Sequence, residues 1–213
     1  VESRGAALPQ PAELEALVRQ VLDEAKRLGA SAAEAGVSLE AGLSVTVRLG
    51  EVETLEYHRD RGVGVTVYFG QRKASASSSD FAPQALRETV RAACDIARYT
   101  SDDDCAGLAD AALMAKEIPD LDLCHPWGID AAHGIEIAQR CEAAARDTDE
   151  RISNSEGATL SSHQGLRVYG NSHGFIAGYP STRHSLSCSV IAGRDEHMQR
   201  DYWYSVARRH EDL

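Results

Sequence analysis

Residues 170–174 read G-N-S-H-G and match G-x-S-x-G, the pattern around the nucleophilic serine of many acyl hydrolases. In those enzymes a strand turns sharply into a helix, which exposes the serine beside backbone N–H groups. The alternating residues 166–169 predict the strand. The helix is not predicted, because Gly174 and Pro180 follow and proline removes a helical hydrogen bond. The pattern therefore favours a hairpin turn between two strands, with Asn171 and Gly174 in turn conformations.

A self-sufficient serine hydrolase that uses Ser172 is the alternative interpretation. In the α/β-hydrolase order, an acid and then a histidine follow the nucleophile. The sequence ends at residue 213, which leaves little room for both. The turn is therefore the preferred interpretation of this pentapeptide.

The eight histidines and five cysteines do not predict a metal site in this chain. Neither H-x-x-x-H nor H-E-x-x-H occurs, and no C-x-x-C spacing is present. His184 and Cys188 share a face, but two ligands are too few for a zinc site. An odd number of cysteines without a disulfide pattern favours a reducing cytosol, so we expect a cytoplasmic protein.

The composition is that of a globular protein without a nucleic-acid or membrane role. Of the 213 residues, 43% are hydrophobic, and the formal net charge is −11. Binding to phosphates needs a basic stripe, whereas the Lys and Arg residues here are scattered. We therefore expect no nucleic-acid partner, and the lack of a long apolar run predicts no transmembrane segment.

Three helices and several strands are predicted to position these residues. Helical periodicity covers 12–28, 83–99 and 131–147, the last capped by Asp130. Alternation predicts short strands at 37–39 and 43–49, a return strand from Val52, and a clear strand at 63–69; further strands lie between Glu156 and Ala207. In the third helix, we expect five residues to face inward: Ile137, Ala138, Cys141, Ala144 and Ala145.

These elements predict an α+β fold in which helices pack on antiparallel β-sheets. A helix followed by a β-hairpin occurs twice, which predicts a two-fold repeat in which residues 171–174 correspond to the turn at Gly50 and Glu51. The predicted organisation has five parts: a flexible arm (1–11), a first α+β unit (12–110), a connector (111–129), a second α+β unit (130–207), and the start of a further region (208–213).

Eight short segments together resemble the PmbA/TldD metalloprotease family, in particular its PmbA (TldE) branch. They occur in the same order as in that family and cover almost the whole chain: 62–68 (GVGVTVY), 75–80 (SASSSD), 95–101 (DIARYTS), 105–110 (CAGLAD), 119–123 (PDLDL), 152–157 (ISNSEG), 169–174 (YGNSHG) and 181–185 (STRHS).

The resemblance implies the N-terminal half of a subunit that pairs with a TldD-type protein in a heterodimeric metalloprotease for unfolded or short peptides. In that family, the zinc motif H-E-x-x-x-H belongs to the C-terminal half of the TldD-type subunit. Nothing in this chain matches it, so we expect no catalytic residue and no metal here, and zinc in the partner. Without its partner, the chain is expected to be able to homo-oligomerise.

We expect this chain to admit substrate by offering strand edges to an extended peptide, around 62–70 and 166–191. The candidate substrate-binding residues are Asn171, Ser172, His173 and Arg183. A non-enzymatic module that regulates another protein is a further alternative.

Overall fold

The structure, a computed structural model, describes residues 8–213. Residues 1–7, most of the predicted arm, lie outside the described residues. The helices and strands follow one another along the chain in this order: α1 (Pro11–Arg27), β1 (Ala32–Arg48), β2 (Glu51–Phe69), β3 (Arg72–Ser78), α2 (Pro83–Tyr99), α3 (Ala131–Arg146), β4 (Ile152–Asn171), β5 (Ile176–Ala192) and β6 (Gln199–Ala207).

All six strands form one antiparallel sheet in the order β3-β2-β1-β4-β5-β6, which confirms the α+β fold. Each half of the chain supplies a helix followed by three consecutive antiparallel strands, and β1 and β4 meet at the centre. Glu34 lies opposite Asn171 and Val47 opposite Ala158. The first hairpin turn of each half therefore lies at the opposite end of the central strand pair. The division into units 12–110 and 130–207 stays a prediction.

Two strands are longer than the sequence pattern predicted. Residues 37–39 and 43–49 were expected as separate runs, but β1 is continuous from Ala32 to Arg48. β5 runs through Pro180 without a break. Since β6 pairs with residues 184–192, no strand of the described residues lies on the outer side of β5 at Pro180, and proline is tolerated there.

Hydrogen bonds at the first turn fix the starts of α1 and α3. Gln10 donates its backbone N–H to the Glu13 carboxylate at 3.1 Å before α1, and Pro11 occupies the first position of that helix. At α3, the Asp130 carboxylate accepts the backbone N–H of His133 at 2.9 Å, which confirms the predicted cap.

The inward face of α3 differs from the predicted one. Ala138 is buried, and Ile137, Cys141 and Ala145 are partly buried, but Ala144 is exposed. Glu142 is buried instead, with 1% of its surface exposed. Its two carboxylate oxygens accept the backbone N–H groups of Leu49 (2.7 Å) and Gly50 (2.8 Å). A helical carboxylate thus closes the turn between β1 and β2, which apolar periodicity cannot reveal.

Two hydrophobic clusters cover one face of the sheet. In the larger cluster, α1 and α2 pack on strands β1 to β4, with Val18, Val90 and Val65 at its centre. In the smaller cluster, α3 packs through Ala138 against Val45 of β1 and its neighbours. Among the described residues, no helix has the length and hydrophobicity needed to cross a membrane.

Candidate functional site

The face of the sheet opposite the helices is polar, and we call it the open face. On β1 the buried Val37, Leu43 and Val45 alternate with residues that point to the other side. Those residues are small or polar along the whole strand: Glu34, Gly36, Ser38, Glu40, Gly42, Ser44 and Thr46. Across the strands, Ser44 pairs with Ser161 at 3.0 Å and Thr46 with Thr159 at 2.9 Å through their hydroxyls.

Two histidines meet on this face above a glycine. Gly42 of β1 lies opposite His58 of β2 and opposite His163 of β4. The imidazole centroids are 4.5 Å apart, and the rings are tilted by 39°. A Cβ atom on Gly42 would lie 2.7 Å from Cε1 of His58 and 2.9 Å from Nδ1 of His163. The absence of a side chain at Gly42 is therefore what allows the two rings to approach.

A carboxylate completes this cluster. Glu40 Oε1 lies 3.3 Å from His163 Nδ1. The two atoms are not aligned for a hydrogen bond, so this buried nitrogen has no partner among the described residues. Glu40, His58 and His163 each bring one potential ligand atom within 4.8 Å of the others. Burial and, next, the neighbouring His58 lower the pKa of His163, although Glu40 acts in the opposite direction.

Arg183, a predicted substrate-binding residue, lies beside this cluster. It is opposite His163 in the pairing of β4 with β5. A cavity of about 280 Å³ opens here, and its lining includes Glu40, His163 and three arginines, Arg167, Arg183 and Arg208. The cavity therefore combines guanidinium groups with one edge of the histidine cluster.

The other three predicted residues lie in the turn between β4 and β5, which confirms that this segment is a hairpin turn. The backbone N–H of Ser172 donates to Ala33 O at 2.8 Å, and its Oγ accepts the N–H of Ala33 at 3.1 Å. His173 directs Nε2 to Ala109 O at 3.1 Å. Ser172 and His173 are therefore each engaged with the backbone and do not form a nucleophile and base pair with each other.

Asn171 has a supporting position at the start of that turn. It is buried, with 1% exposure, and its side-chain amide donates to Met114 Sδ at 3.2 Å. Its carbonyl oxygen accepts the backbone N–H of His173 at 3.1 Å. Residues 171–174 line a cavity of about 450 Å³ together with part of α1. The four predicted residues are thus divided between two cavities, with Arg183 apart from the others.

Glu40, His58 and His163 were not among the predicted site residues. His58 and His163 lie far apart in the sequence, and neither has a ligand neighbour at metal-binding spacing. Only the pairing of β2 and β4 with β1 brings them together. A correct strand alignment, rather than a local motif, is the signal that could have found this cluster.

Two family domains match the chain. Residues 33–97 match PmbA/TldA metallopeptidase domain 1, and residues 124–213 match the PmbA/TldA metallopeptidase central domain. The two matches cover β1 to α2 and the segment from Cys124 to the end of the chain.

Curated relatives carry the same family name. Metalloprotease PmbA of Escherichia coli O157:H7 is 53% identical over 181 residues, which is 85% of this chain and 40% of the relative. A metalloprotease PmbA homolog of Haemophilus influenzae is 47% identical over 204 residues, covering 96% of this chain and 45% of the relative. The chain thus spans less than half the length of these relatives.

Solved structures share the fold. A Bacteroides thetaiotaomicron protein named as a modulator of DNA gyrase superposes with a TM-score of 0.85 at 23% identity, covering 94% of this chain and 46% of that protein. TldE from Thermococcus kodakarensis gives a TM-score of 0.70 at 14% identity, covering 90% and 43%. The chain belongs to the PmbA/TldD metallopeptidase family, within its PmbA branch.

Proposed function

We propose that this chain is the substrate-admitting and structural part of a PmbA-type subunit in a zinc metalloprotease. A TldD-type partner would supply the catalytic zinc, and the complex would act on unfolded or short peptides. The relatives named metalloprotease PmbA and the structural likeness to TldE support this proposal. Because the resemblance places the H-E-x-x-x-H motif in the TldD-type subunit, we assign the hydrolytic step to the partner.

The observation that carries the proposal is an unpaired strand edge. β3 pairs only with Val63–Phe69 of β2, whereas β1 pairs with β2 along nearly its whole length. Within residues 8–213, the segment 51–62 of β2 therefore has no strand on its outer side. Its outward N–H and C=O groups could add an extended peptide as a further strand, which binds backbone without strong sequence preference.

The position of this free edge differs from part of the expectation from sequence. Residues 63–69 lie between β1 and β3, and β4 lies between β1 and β5. Within the expected range 166–191, residues 176–183 of β5 also have no strand on their outer side among residues 8–213, because β6 pairs with residues 184–192. The free segment of β2 has apolar side chains that are 41–54% exposed, at Val52, Leu55 and Tyr57. Such side chains could contact alternate residues of a bound peptide.

Reconstitution tests the proposal. The full-length protein that carries this chain, its TldD-type partner and an equimolar mixture are each incubated with an unfolded casein substrate. We expect cleavage that is abolished by a zinc chelator in the mixture alone. Cleavage by the PmbA-type protein alone, or an inert complex, would contradict the proposal.

A variant of Ser172 distinguishes the proposal from the serine-hydrolase alternative. The mixture made with Ser172→Ala should cleave at the wild-type rate, and a fluorophosphonate probe should leave Ser172 unlabelled. Loss of cleavage together with labelling of the wild-type serine would favour the serine hydrolase. A stable complex without any peptidase activity would favour a regulatory module.

A further inference from the structure

The open face brings together a set of metal ligands that the family motif does not include. We propose that Glu40, His58 and His163 bind one divalent transition metal ion, with Zn²⁺ as the preferred cation. The ion would join three neighbouring strands, since these residues come from β1, β2 and β4. This inference rests on residues of this chain alone, and it stands whether or not the chain acts with a protease.

The donor set suits zinc. Two imidazoles and one carboxylate are the protein ligands of many open zinc sites, in which water or substrate takes the fourth position. In a tetrahedral site with bonds of about 2.0–2.2 Å, neighbouring ligand atoms are about 3.3–3.5 Å apart. Glu40 Oε1 and His163 Nδ1 are 3.3 Å apart. The Glu40 side chain is 49% exposed, so it can rotate to close the wider separations in the cluster.

The unpartnered nitrogen of His163 is the second observation. Nδ1 is buried, and no described residue forms a hydrogen bond with it. Buried polar atoms in folded proteins almost always have a partner, which is a protein group, a water molecule or an ion. A cation between Nδ1 and Glu40 would supply that partner.

Gly42 is the third observation. A methyl group at this position would lie 2.8 Å from the backbone oxygen of Ser162, in addition to its contacts with both imidazoles. The space above Gly42 is therefore bounded by two histidine rings, and it is kept free by the absence of a side chain. This arrangement creates a small cradle bounded by His163 Nδ1 and His58 Cε1.

The surrounding charges define the open coordination position. Arg183 lies opposite His163, and Arg167 and Arg208 line the adjoining cavity. Asp60 lies opposite Glu40 and adds negative charge on the other side. The arginines favour water or an anionic group, such as a carboxylate, as the fourth ligand, because a guanidinium pairs with such a group.

Zinc titration of the full-length protein tests the site. After treatment with a chelator and its removal, isothermal titration with Zn²⁺ should show a saturable site that is lost in His58→Ala and in His163→Ala. We expect affinity to fall by about 100-fold or more in each variant, since even residues that only support a ligand contribute about 10–100-fold. His197→Ala is the matched control, because this histidine is highly exposed and outside the cluster. Zinc binding by His58→Ala and His163→Ala that equals the wild type, or an equal loss in the control, would overturn the proposal.

A second pair of variants tests the geometry without removing a histidine. Gly42→Ala fills the cradle, and Glu40→Gln removes the charged donor while keeping its size. Both should weaken zinc binding and reduce the visible absorption of tetrahedral Co²⁺ at this site. Circular dichroism shows whether Gly42→Ala folds; if it does not, Glu40→Gln alone decides. Unchanged Zn²⁺ affinity and Co²⁺ absorption in folded Glu40→Gln would contradict the assignment.

Discussion

Histidines on the two faces of the sheet differ in the hydrogen bonds of their ring nitrogens. His184 and His163 lie on neighbouring strands and face opposite sides, since Ser162 pairs with His184 and His163 pairs with Arg183. On the covered face, both ring nitrogens of His184 have partners, Ser162 Oγ at 2.9 Å and His125 O at 3.0 Å. On the open face, His163 Nδ1 has none among the described residues. His184 is therefore satisfied by described residues, whereas His163 leaves Nδ1 available for a ligand.

The largest effect is expected where the covered face closes a turn. Glu142→Ala removes the charged acceptor of the Leu49 and Gly50 N–H groups. This should lower the free energy of unfolding by about 2–4 kcal/mol, since a hydrogen bond to a charged group contributes about 1.5–3 kcal/mol and the exposed turn N–H groups regain part of this from water. Urea denaturation measures the change. Glu136→Ala, on an exposed position of the same helix, should change stability by less than about 0.5 kcal/mol. Equal effects in both variants would show that the turn does not depend on this carboxylate.

The Glu142 carboxylate should also make the free energy of unfolding depend on pH. Burial acts to raise the pKa of Glu142, but hydrogen bonds from Ser155, Gly50 and Leu49 outweigh it, so the pKa is lowered below 4.5. A lowered pKa means that the ionised Glu142 carboxylate stabilises the fold above pH 4.5. This stabilisation is lost as the pH falls through the folded-state pKa. Wild type and Glu142→Gln should therefore converge in stability in acid. A constant difference down to acidic pH would contradict this.

Alanine substitutions at two glycines, one on each face, compare how tightly the two faces are packed. A Cβ on Gly170 would lie 2.6 Å from Val18 Cγ1 of α1, whereas one on Gly64 would meet nothing within 4 Å. Gly170→Ala should therefore lower the free energy of unfolding by about 1–3 kcal/mol through overpacking. Gly64→Ala should be neutral or raise it by up to about 1 kcal/mol, because alanine restricts the unfolded chain. Thermal denaturation of both variants checks this, and similar losses would mean that the open face is packed as tightly as the covered one.

Because His184 is buried, we expect the protein to lose stability in mild acid. Its burial lowers its pKa below 6.5. The stabilising contribution is therefore present above pH 6.5 and declines as the pH falls, by at most about 1.4 kcal/mol per pH unit for one proton. Unfolding measured from pH 7.5 to 5 should show a smaller slope in His184→Gln, with the remainder due in part to His163, whose pKa is also lowered. Equal slopes would show that His184 is not kept neutral by the fold.

The smallest effect concerns the serine that first suggested chemistry. Ser172→Ala loses the hydrogen bond from Ala33 N–H, which should reduce stability by about 0.5–1.5 kcal/mol. Chemical denaturation measures this change. Ser205→Ala, a serine of β6 without a role in this turn, is the control and should have a smaller effect. A larger effect in the control would remove the structural role assigned to Ser172.

The sequence predicted the features that depend on local patterns. The three helices, the Asp130 cap and a turn near the predicted residues 171–174 follow from periodicity, capping and turn residues. Strand length was underestimated, because Gly42 and Pro180 interrupt the alternation although the ladders continue through them. Local alternation therefore predicts the parts of a strand on each side of Gly42 or Pro180, whereas only the pairing with neighbouring strands shows that the strand is continuous.

The histidine cluster and the Glu142 contact could not be predicted from local patterns. Each depends on which strands become neighbours, and on the register that places His58 and His163 on either side of Gly42. Glu142 lies four residues after Ala138 on the buried face of α3, but a charged residue is expected at the surface, and only the proximity of the β1–β2 turn explains why a carboxylate is buried there. Local patterns in a single sequence do not show which strands become neighbours or in which register.

Hydrogen exchange tests the central claim, that the free edge of β2 receives an extended peptide. The reconstituted complex, with the partner's zinc motif inactivated, is exchanged with and without an unfolded casein peptide. We expect slower exchange in the presence of the peptide for the amides of residues 51–62, and no change in α1, α2 or α3. Unchanged exchange at 51–62, or protection confined to the helices, would contradict it.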